Sequence, residues 1–301
     1  MNIKEISTEQ RNASTLTIDQ ASSLQIVKLM NKEDRDVPQA IGKILTQIAT
    51  AIDRITERMS LGGRLIYVGA GTSGRLGVLD ASECPPTFSA DPEHVQALIA
   101  GGPAAITSAF EGAEDDVEQG RLDIKAKNVN QQDVVVGIAA SGRTPYTIGA
   151  MKEAKDHGAL VLAIVCSLGS DMEEAADLTM VAEVGPEILT GSTRLKAGTA
   201  QKLILNMLST GTMIQQGKVY SNLMVDLQPT NQKLQIRSKH IIMEATGVSE
   251  KKAEQVLHEY GAVKPAILAL LTSLKGEEVH ASLDKHNGHI GRAIHSVSES
   301  E

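Results

Sequence analysis

Tryptophan is absent from this chain, and the remaining aromatic rings, four tyrosines and two phenylalanines, are 2% of its 301 residues. So few ring faces offer no platform for stacking nucleic-acid bases. Cysteine is scarcer still: Cys84 and Cys166 follow neither a disulfide nor a metal-ligand spacing, which points to a reducing compartment. Cations are outnumbered, 29 Lys and Arg against 37 Asp and Glu for a net charge of −8, and no dense basic run is present. That excludes a nucleic-acid partner, whose phosphates demand a positive face. A small anionic metabolite needs only local donors and stays open. No apolar run approaches the ~18 residues of a membrane helix, and Met1–Asn12 carries no apolar signal-peptide core. The expectation is a cytoplasmic protein without a membrane partner.

What is present is 42% apolar residues, enough for one large α/β domain and a smaller unit. Ile41, Ile44, Leu45, Ile48, Ile52, Ile55 and Met59 recur at helical spacing and predict one helix over Val37–Met59, stopped by Gly62-Gly63. Buried strands are expected at Arg64–Val68, Val95–Ile99, Val134–Ile138 and Ala159–Val165, with a short one at Leu178–Ala182. Helices are expected at Arg75–Ala81, Ala104–Phe110, Asp116–Lys127, Pro145–His157 and Leu195–Gln216, with Pro85-Pro86 enforcing an extended course after the first. Strands alternating with helices predict a doubly wound parallel sheet flanked by helices. After Asn231 no strand-like run remains, and helices are expected at 234–245, 249–260, 264–274 and 277–285. The predicted division is a sheet domain over 1–239 and a small all-helical domain over 240–301.

Three short segments combine glycine with hydroxyl residues: Gly69-Ala70-Gly71-Thr72-Ser73-Gly74, Ser141-Gly142-Arg143-Thr144 and Thr190-Gly191-Ser192-Thr193. The first two directly follow predicted strands. Turns of this kind aim backbone N–H groups at one spot before the positive end of a helix, while Ser and Thr add hydroxyl donors. Repeated on one sheet, they suggest a pocket for a phosphorylated small molecule. Gly69, Gly71 and Gly74 also match the dinucleotide fingerprint, but the next strand ends Ile99-Ala100-Gly101 without the acid that would hold a ribose. Taken singly, each loop is equally a tight structural turn or a capped helix start.

Glu83 and Glu114 fall in connections of the same half of the sheet. Two carboxylates in one pocket allow one to act as base and the other as acid, although spacing alone is better explained by ordinary solvated loop residues. His286, His289 and His295 fit no helix face, and no Cys or carboxylate pair supports a metal there, so surface or dimer-contact histidines are expected. Cys84 has no neighbouring His and reads as a small neighbour of the site.

Four segments are collectively distinctive: Gly69–Arg75, Leu79–Phe88 with its Ser82-Glu83-Cys84-Pro85-Pro86, Ile138–Tyr146, and Gly185–Lys202 with Gly185-Pro186-Glu187 and Gly191-Ser192-Thr193-Arg194. Together they resemble the N-acetylmuramic acid 6-phosphate etherase family, from about residue 5 to the C-terminus. The family is related to the glucokinase regulatory protein, which binds sugar phosphates without catalysis, and has the sugar-isomerase (SIS) fold. Ala139 and Ala140 stand where isomerases commonly carry polar residues, which argues against aldose–ketose isomerisation. The resemblance implies a lyase that converts N-acetylmuramic acid 6-phosphate and water to N-acetylglucosamine 6-phosphate and D-lactate in cell-wall recycling, with no metal or other cofactor. It maps the acid/base pair onto Glu83 and Glu114. The 6-phosphate falls to the loops bearing Gly71, Thr72, Ser73, Ser141, Gly142, Arg143 and Thr144, with Glu187, Ser192, Thr193 and Arg194 completing the pocket; alternatively, Arg194 meets the lactyl carboxylate. It also implies a homodimer with the site near the subunit interface. A non-catalytic sugar-phosphate sensor and a sugar-phosphate isomerase are the competing readings.

Overall fold

Helix-forming sequence precedes the first strand. In the computed structural model, which describes residues 6–227 and 232–299, it forms α1 (Ser23–Asp34), α2 (Asp36–Gly42) and α3 (Leu45–Ser60). α3 buries Ile48, Ala51, Ile55 and Met59, one face at helical spacing. The single helix expected over Val37–Met59 breaks after Gly42, where the poorest helix former short of proline ends α2 and Ile44 leaves helical backbone at φ −119° and ψ 17°. α1 escapes periodicity because Glu33 is its only buried residue.

Next come β1 (Leu65–Gly69), α4 (Gly71–Phe88), β2 (Val95–Ile99), α5 (Val117–Ala126), β3 (Val134–Ile138), α6 (Pro145–Asp156), β4 (Leu160–Val165), α7 (Asp171–Ala175), β5 (Leu178–Val181) and α8 (Lys196–Gln215). The strands form one sheet in the order β2-β1-β3-β4-β5, parallel throughout. Every residue of β1, β3 and β4 is buried, as a sheet covered on both faces requires. On one face Ile66, Val68, Val135, Val161 and Ala163 pack with Ile124, Tyr146, Ala150, Met151 and Met172 of α5, α6 and α7. On the other, Tyr67 lies under α4 and donates its hydroxyl to Asp80 at 2.9 Å. Asp80 also accepts from Asn206 (2.7 Å) and Ser209 (3.2 Å) of α8, so one buried carboxylate joins strand and two helices. The chain leaves β1 for β2 on one side and returns to β3 on the other. Ligands of open α/β sheets bind at such a reversal, outside the strands' carboxyl ends.

Two further expectations need correction. α4 does not stop at Ala81 but continues through Pro85 and Pro86 to Phe88, so Glu83 lies inside a helix rather than in a connection. The prolines forfeit amide bonds only in the last turn, while Ala81, Cys84 and Phe88 are buried along one face and offset that loss. The helix then ends at Ser89, which takes φ 48°. The helix expected over Ala104–Phe110 is a short 3-10 turn, Pro103–Ile106, with only Ala105 buried; without an apolar face a longer helix has nothing to pack.

The chain divides into two compact units, one comprising the chain up to Ser82 with Pro92–Ser209, the other Glu83–Asp91 with the chain from Thr210 onward. The second holds the hairpin β6 (Val219–Tyr220) and β7 (Leu223–Met224), then α9 (Gln232–Thr246), α10 (Glu250–Tyr260), α11 (Val263–Leu271), α12 (Glu277–Lys285) and α13 (Ile290–Ser298). Its own core includes Val225, Ile242, Val256, Ile267, Leu268, Val279 and Ile290. The four expected helices are present; the two-residue strands are too short for any periodic signal, and α13 is an addition.

Within the first unit the entries of β1 and β3 are clamped by Asp133, which is fully buried. It accepts from the backbone N–H, Nε and Nη2 of Arg64 (2.9, 3.0 and 2.6 Å) and from the Asn130 backbone amide (3.0 Å). Burial by itself raises the Asp133 pKa, but the Arg64 and Asn130 hydrogen bonds outweigh it and hold the carboxyl below its ordinary range. A depressed folded-state pKa contributes stability above the unfolded value of about 4, lost as pH falls through the folded one. Asp133→Asn is therefore expected to cost about 3 kcal/mol in urea unfolding at pH 7, with the gap to wild type narrowing below about pH 4; a gap independent of pH contradicts this account.

Candidate functional site

The first loop is governed by a close approach of backbone to backbone. A Cβ on Gly69 would lie 2.8 Å from the Gly74 nitrogen, and one on Gly74 would lie 2.7 Å from both the Gly69 oxygen and Ile99 Cγ1. Only glycine permits this contact at both ends, so α4 begins immediately at the carboxyl end of β1. Its first intrahelical bond runs from Gly74 N to Ala70 O (3.1 Å). The amides of Gly71, Thr72 and Ser73 precede that bond, and no acidic residue lies in the first turn. This is a positive helix end of the kind that holds phosphate.

The second loop follows β3, beside β1 and across the topological reversal. Ala139 N donates to Ile164 O and Cys166 N to Ala140 O, extending the β3–β4 ladder into the loop. Gly142, at φ +67°, is pressed against Ser170. Arg143 turns its guanidinium onto the loop, donating to Ser141 O (2.8 Å) and Gly169 O (2.7 Å), and its backbone N–H reaches Ser141 Oγ at 3.3 Å. Thr144 occupies the N-cap position of α6, with Pro145 in the first turn as expected; the Thr144 side chain makes no cap bond. Ser141, Arg143 and Thr144 remain half-buried.

The third loop is set by Glu187, which is fully buried. Its two oxygens accept from the backbone N–H groups of Lys196 and Ala197, each at 2.9 Å, and so cap α8. Burial raises its pKa and those amides only partly offset the effect. Glu187 thus frames the loop, its carboxylate committed to the start of α8. Ser192 and Thr193 turn the chain into that helix, with Gly198 N donating to Thr193 O at 2.9 Å, and Arg194 is exposed. At Gly198 a Cβ would sit 3.5 Å from both Thr193 O and Thr72 Cγ2. The first and third loops therefore meet, and Ser73 Oγ donates to Gln201 of α8 at 2.9 Å.

Glu114 is exposed in a 3-10 turn, Glu111–Asp115, on the connection from β2 to α5. Arg75 of α4 ties that connection down by donating to Ile106 O (3.0 Å) and Ser108 O (2.8 Å). Glu83 is exposed on α4 and belongs to the second unit. Burial pushes the Cys166 thiol up to about 12, which leaves it no nucleophilic character at neutral pH. His286 bonds Ser282 O of its own helix and His295 pairs with Glu299 at 3.1 Å.

Several residues at this edge carry no motif. Gln201 is one of several buried polar residues of α8, with Lys196, Ser209 and Thr212, and nothing in the sequence sets it apart from them. The N-terminal segment is another: Ser7 Oγ lies 3.1 Å from Ser167 Oγ, and Thr15 donates to Ile188 O at 2.9 Å. Asn12 donates to Glu33 (2.7 Å), which also meets the buried Lys196 (3.3 Å). The segment spans more than 150 residues of sequence to reach the end of β4 and the third loop, a contact no local pattern encodes. Substituting Gly74→Ala is expected to force β1 and α4 apart, costing about 1–3 kcal/mol and weakening inorganic phosphate binding in calorimetry; unchanged binding argues against an anion at α4.

Known proteins share this chain's sequence and fold. Residues 47–155 match the glucokinase regulatory protein N-terminal SIS domain, and residues 117–211 match the SIS domain. Among solved structures, a phosphoheptose isomerase from Francisella tularensis shares the fold at TM-score 0.51 and 17% identity, covering 64% of this chain and 100% of that one. A protein of Clostridium beijerinckii named N-acetylmuramic acid 6-phosphate etherase is 52% identical, over 99% of this chain and 98% of its own. One of the same name from Halalkalibacterium halodurans is 52% identical, over 98% of this chain and 100% of its own. At that identity over essentially the whole length, the chain belongs to the N-acetylmuramic acid 6-phosphate etherase family.

Proposed function

We infer that the chain is a carbon–oxygen lyase that cleaves the C3 D-lactyl ether of N-acetylmuramic acid 6-phosphate, giving N-acetylglucosamine 6-phosphate and D-lactate. The observation that carries this reading is full-length identity of 52% to proteins of that name, joined to an anion-ready loop at the topological switch point. A sensor or an isomerase is less favoured. The regulatory-protein match covers only residues 47–155, and the likeness to the isomerase structure is one of fold.

In this reading the 6-phosphate sits on the amides of Gly71, Thr72 and Ser73, with hydroxyls from Thr72, Ser73, Ser141 and Thr144 around it. Gly142 and Arg143 hold the second loop in place. Glu187 fixes the start of α8 and so the turn bearing Ser192, Thr193 and Arg194, whose guanidinium suits the lactyl carboxylate. Direct displacement of a C3 ether is difficult, whereas the open-chain aldehyde acidifies the C2 proton. Glu114 removes that proton, the C3–O bond breaks, and Glu83 protonates the departing lactate oxygen. Water then adds to C3 of the unsaturated aldehyde with Glu83 as base, and a proton returns to C2. The two carboxylates are interchangeable in this scheme, and none of these steps calls for a metal or redox cofactor.

The chain acts in the cytoplasm as a homodimer, with the site near the subunit interface. Supporting the dimer are exposed large apolar residues, among them Leu168, Leu189, Met207 and Ile214, and the few cations in the three loops for a substrate with two anionic groups.

Glu83→Gln and Glu114→Gln are each expected to lower kcat for D-lactate release by ~10²–10⁴-fold, with KM moving less. Wild type in ¹⁸O-labelled water should place label in the sugar product. Undiminished turnover by either variant removes that residue from the chemistry. Light scattering should return twice the 32.0 kDa chain mass; a monomer that turns over normally refutes the shared site.

A further inference from the structure

Against the first turn of α4 lies a polar group of α8 that the reaction scheme leaves unused. Gln201 is 1% exposed, and its Oε1 takes the Ser73 hydroxyl proton at 2.9 Å. The other end of the same amide, Nε2, is buried with no hydrogen-bond partner. A buried donor without an acceptor is unfavourable, and here it lies beside a helix end suited to an anion. The Ser73 hydroxyl has one proton and two lone pairs. With its proton given to Gln201, Ser73 turns only lone pairs toward the loop, and lone pairs repel phosphate.

We propose that Gln201 is a positioning residue that sets the direction of the Ser73 proton, and that an anion bound on the first loop is accompanied by a turn of the Gln201 amide. The two ends of a carboxamide are nearly equal in size, so the turn needs no repacking. After it, Nε2 donates to Ser73 Oγ and the Ser73 proton points at the anion. The turn gives Nε2 an acceptor and leaves Oε1 in its place without a donor, so it is favoured only when a bound anion takes the Ser73 proton in the same movement. The inference rests on the reading of the first loop as the phosphate site, not on which reaction follows.

The test is a double-mutant cycle read by calorimetry with inorganic phosphate, combined with D-lactate release. Gln201→Glu keeps the shape and, when ionised, can only accept, so at a pH where it is charged it holds the Ser73 proton. It is expected to weaken phosphate binding by about tenfold or more and to raise KM with kcat little changed. Gln201→Met, which cannot take the proton, is expected to stay within about threefold of wild type. In a Ser73→Ala background the Gln201→Glu effect should largely vanish. An equal effect with and without the Ser73 hydroxyl means simple charge repulsion and overturns the proposal, as does a loss in Gln201→Met equal to that in Gln201→Glu. Should Gln201→Glu fail to fold, phosphate titration of the wild type decides, watched through the Gln201 side-chain amide signals in ¹⁵N NMR. A shift is expected; unmoved signals overturn the proposal. Phosphate results as expected from a wild type that releases no lactate leave the proposal standing and remove the etherase reaction.

Discussion

The contact between the backbones of Gly69 and Gly74 is the constraint from which the site follows. With Cβ positions 2.7–2.8 Å from opposing backbone atoms, any side chain larger than hydrogen would lift α4 away from β1. The helix would then present its positive end elsewhere, and Tyr67, Ile138 and Ile99 would lose their fit under it. Because the contact is kept, α4 starts at the edge of the sheet, its face toward Tyr67 carries Asp80, and Asp80 in turn receives α8 through Asn206 and Ser209. Loop, helix and second helix are thus placed by one close approach.

Charge distinguishes the helix ends at the carboxyl ends of the strands. The protein is acidic overall, so attraction must come from oriented dipoles at short range. α8 also begins at this edge, but Glu187 consumes its first amides and neutralises its positive end. α4 has no acid in its first turn and keeps its amides available. Arg143, the cation nearest the second loop, is occupied by two carbonyls and acts as a strut. What the first turn of α4 offers an anion is backbone N–H groups rather than a fixed cation.

Much of the fold could be read directly because parallel strands buried on both faces appear as unbroken apolar runs. Val134–Ile138 and Leu160–Val165 needed no context, and the glycines at 69, 71 and 74 marked the turn between β1 and α4. Reading failed where tertiary burial outweighed local preference. Pro85 and Pro86 argue for a break, yet Cys84 and Phe88 are buried and the helix carries on. The β6–β7 hairpin is too short to show a period, and α1 buries too little to show a face. The motifs identified the loops, and Gln201 escaped because α8 carries several polar residues and only the folded contact with Ser73 sets this one apart.

Sequence by itself determined the class of sheet, the three glycine and hydroxyl loops, and the family, since each is written in local composition or in order along the chain. Tertiary structure decided which of those loops meet, that Glu187 and Arg143 brace the site, that Glu83 rides on a helix, and that Ser73 is paired with a residue 128 positions away. The reason is physical. Strand and turn preferences act over a few residues, whereas the direction of a hydroxyl proton or the occupancy of a helix end depends on groups that only folding brings within 3 Å.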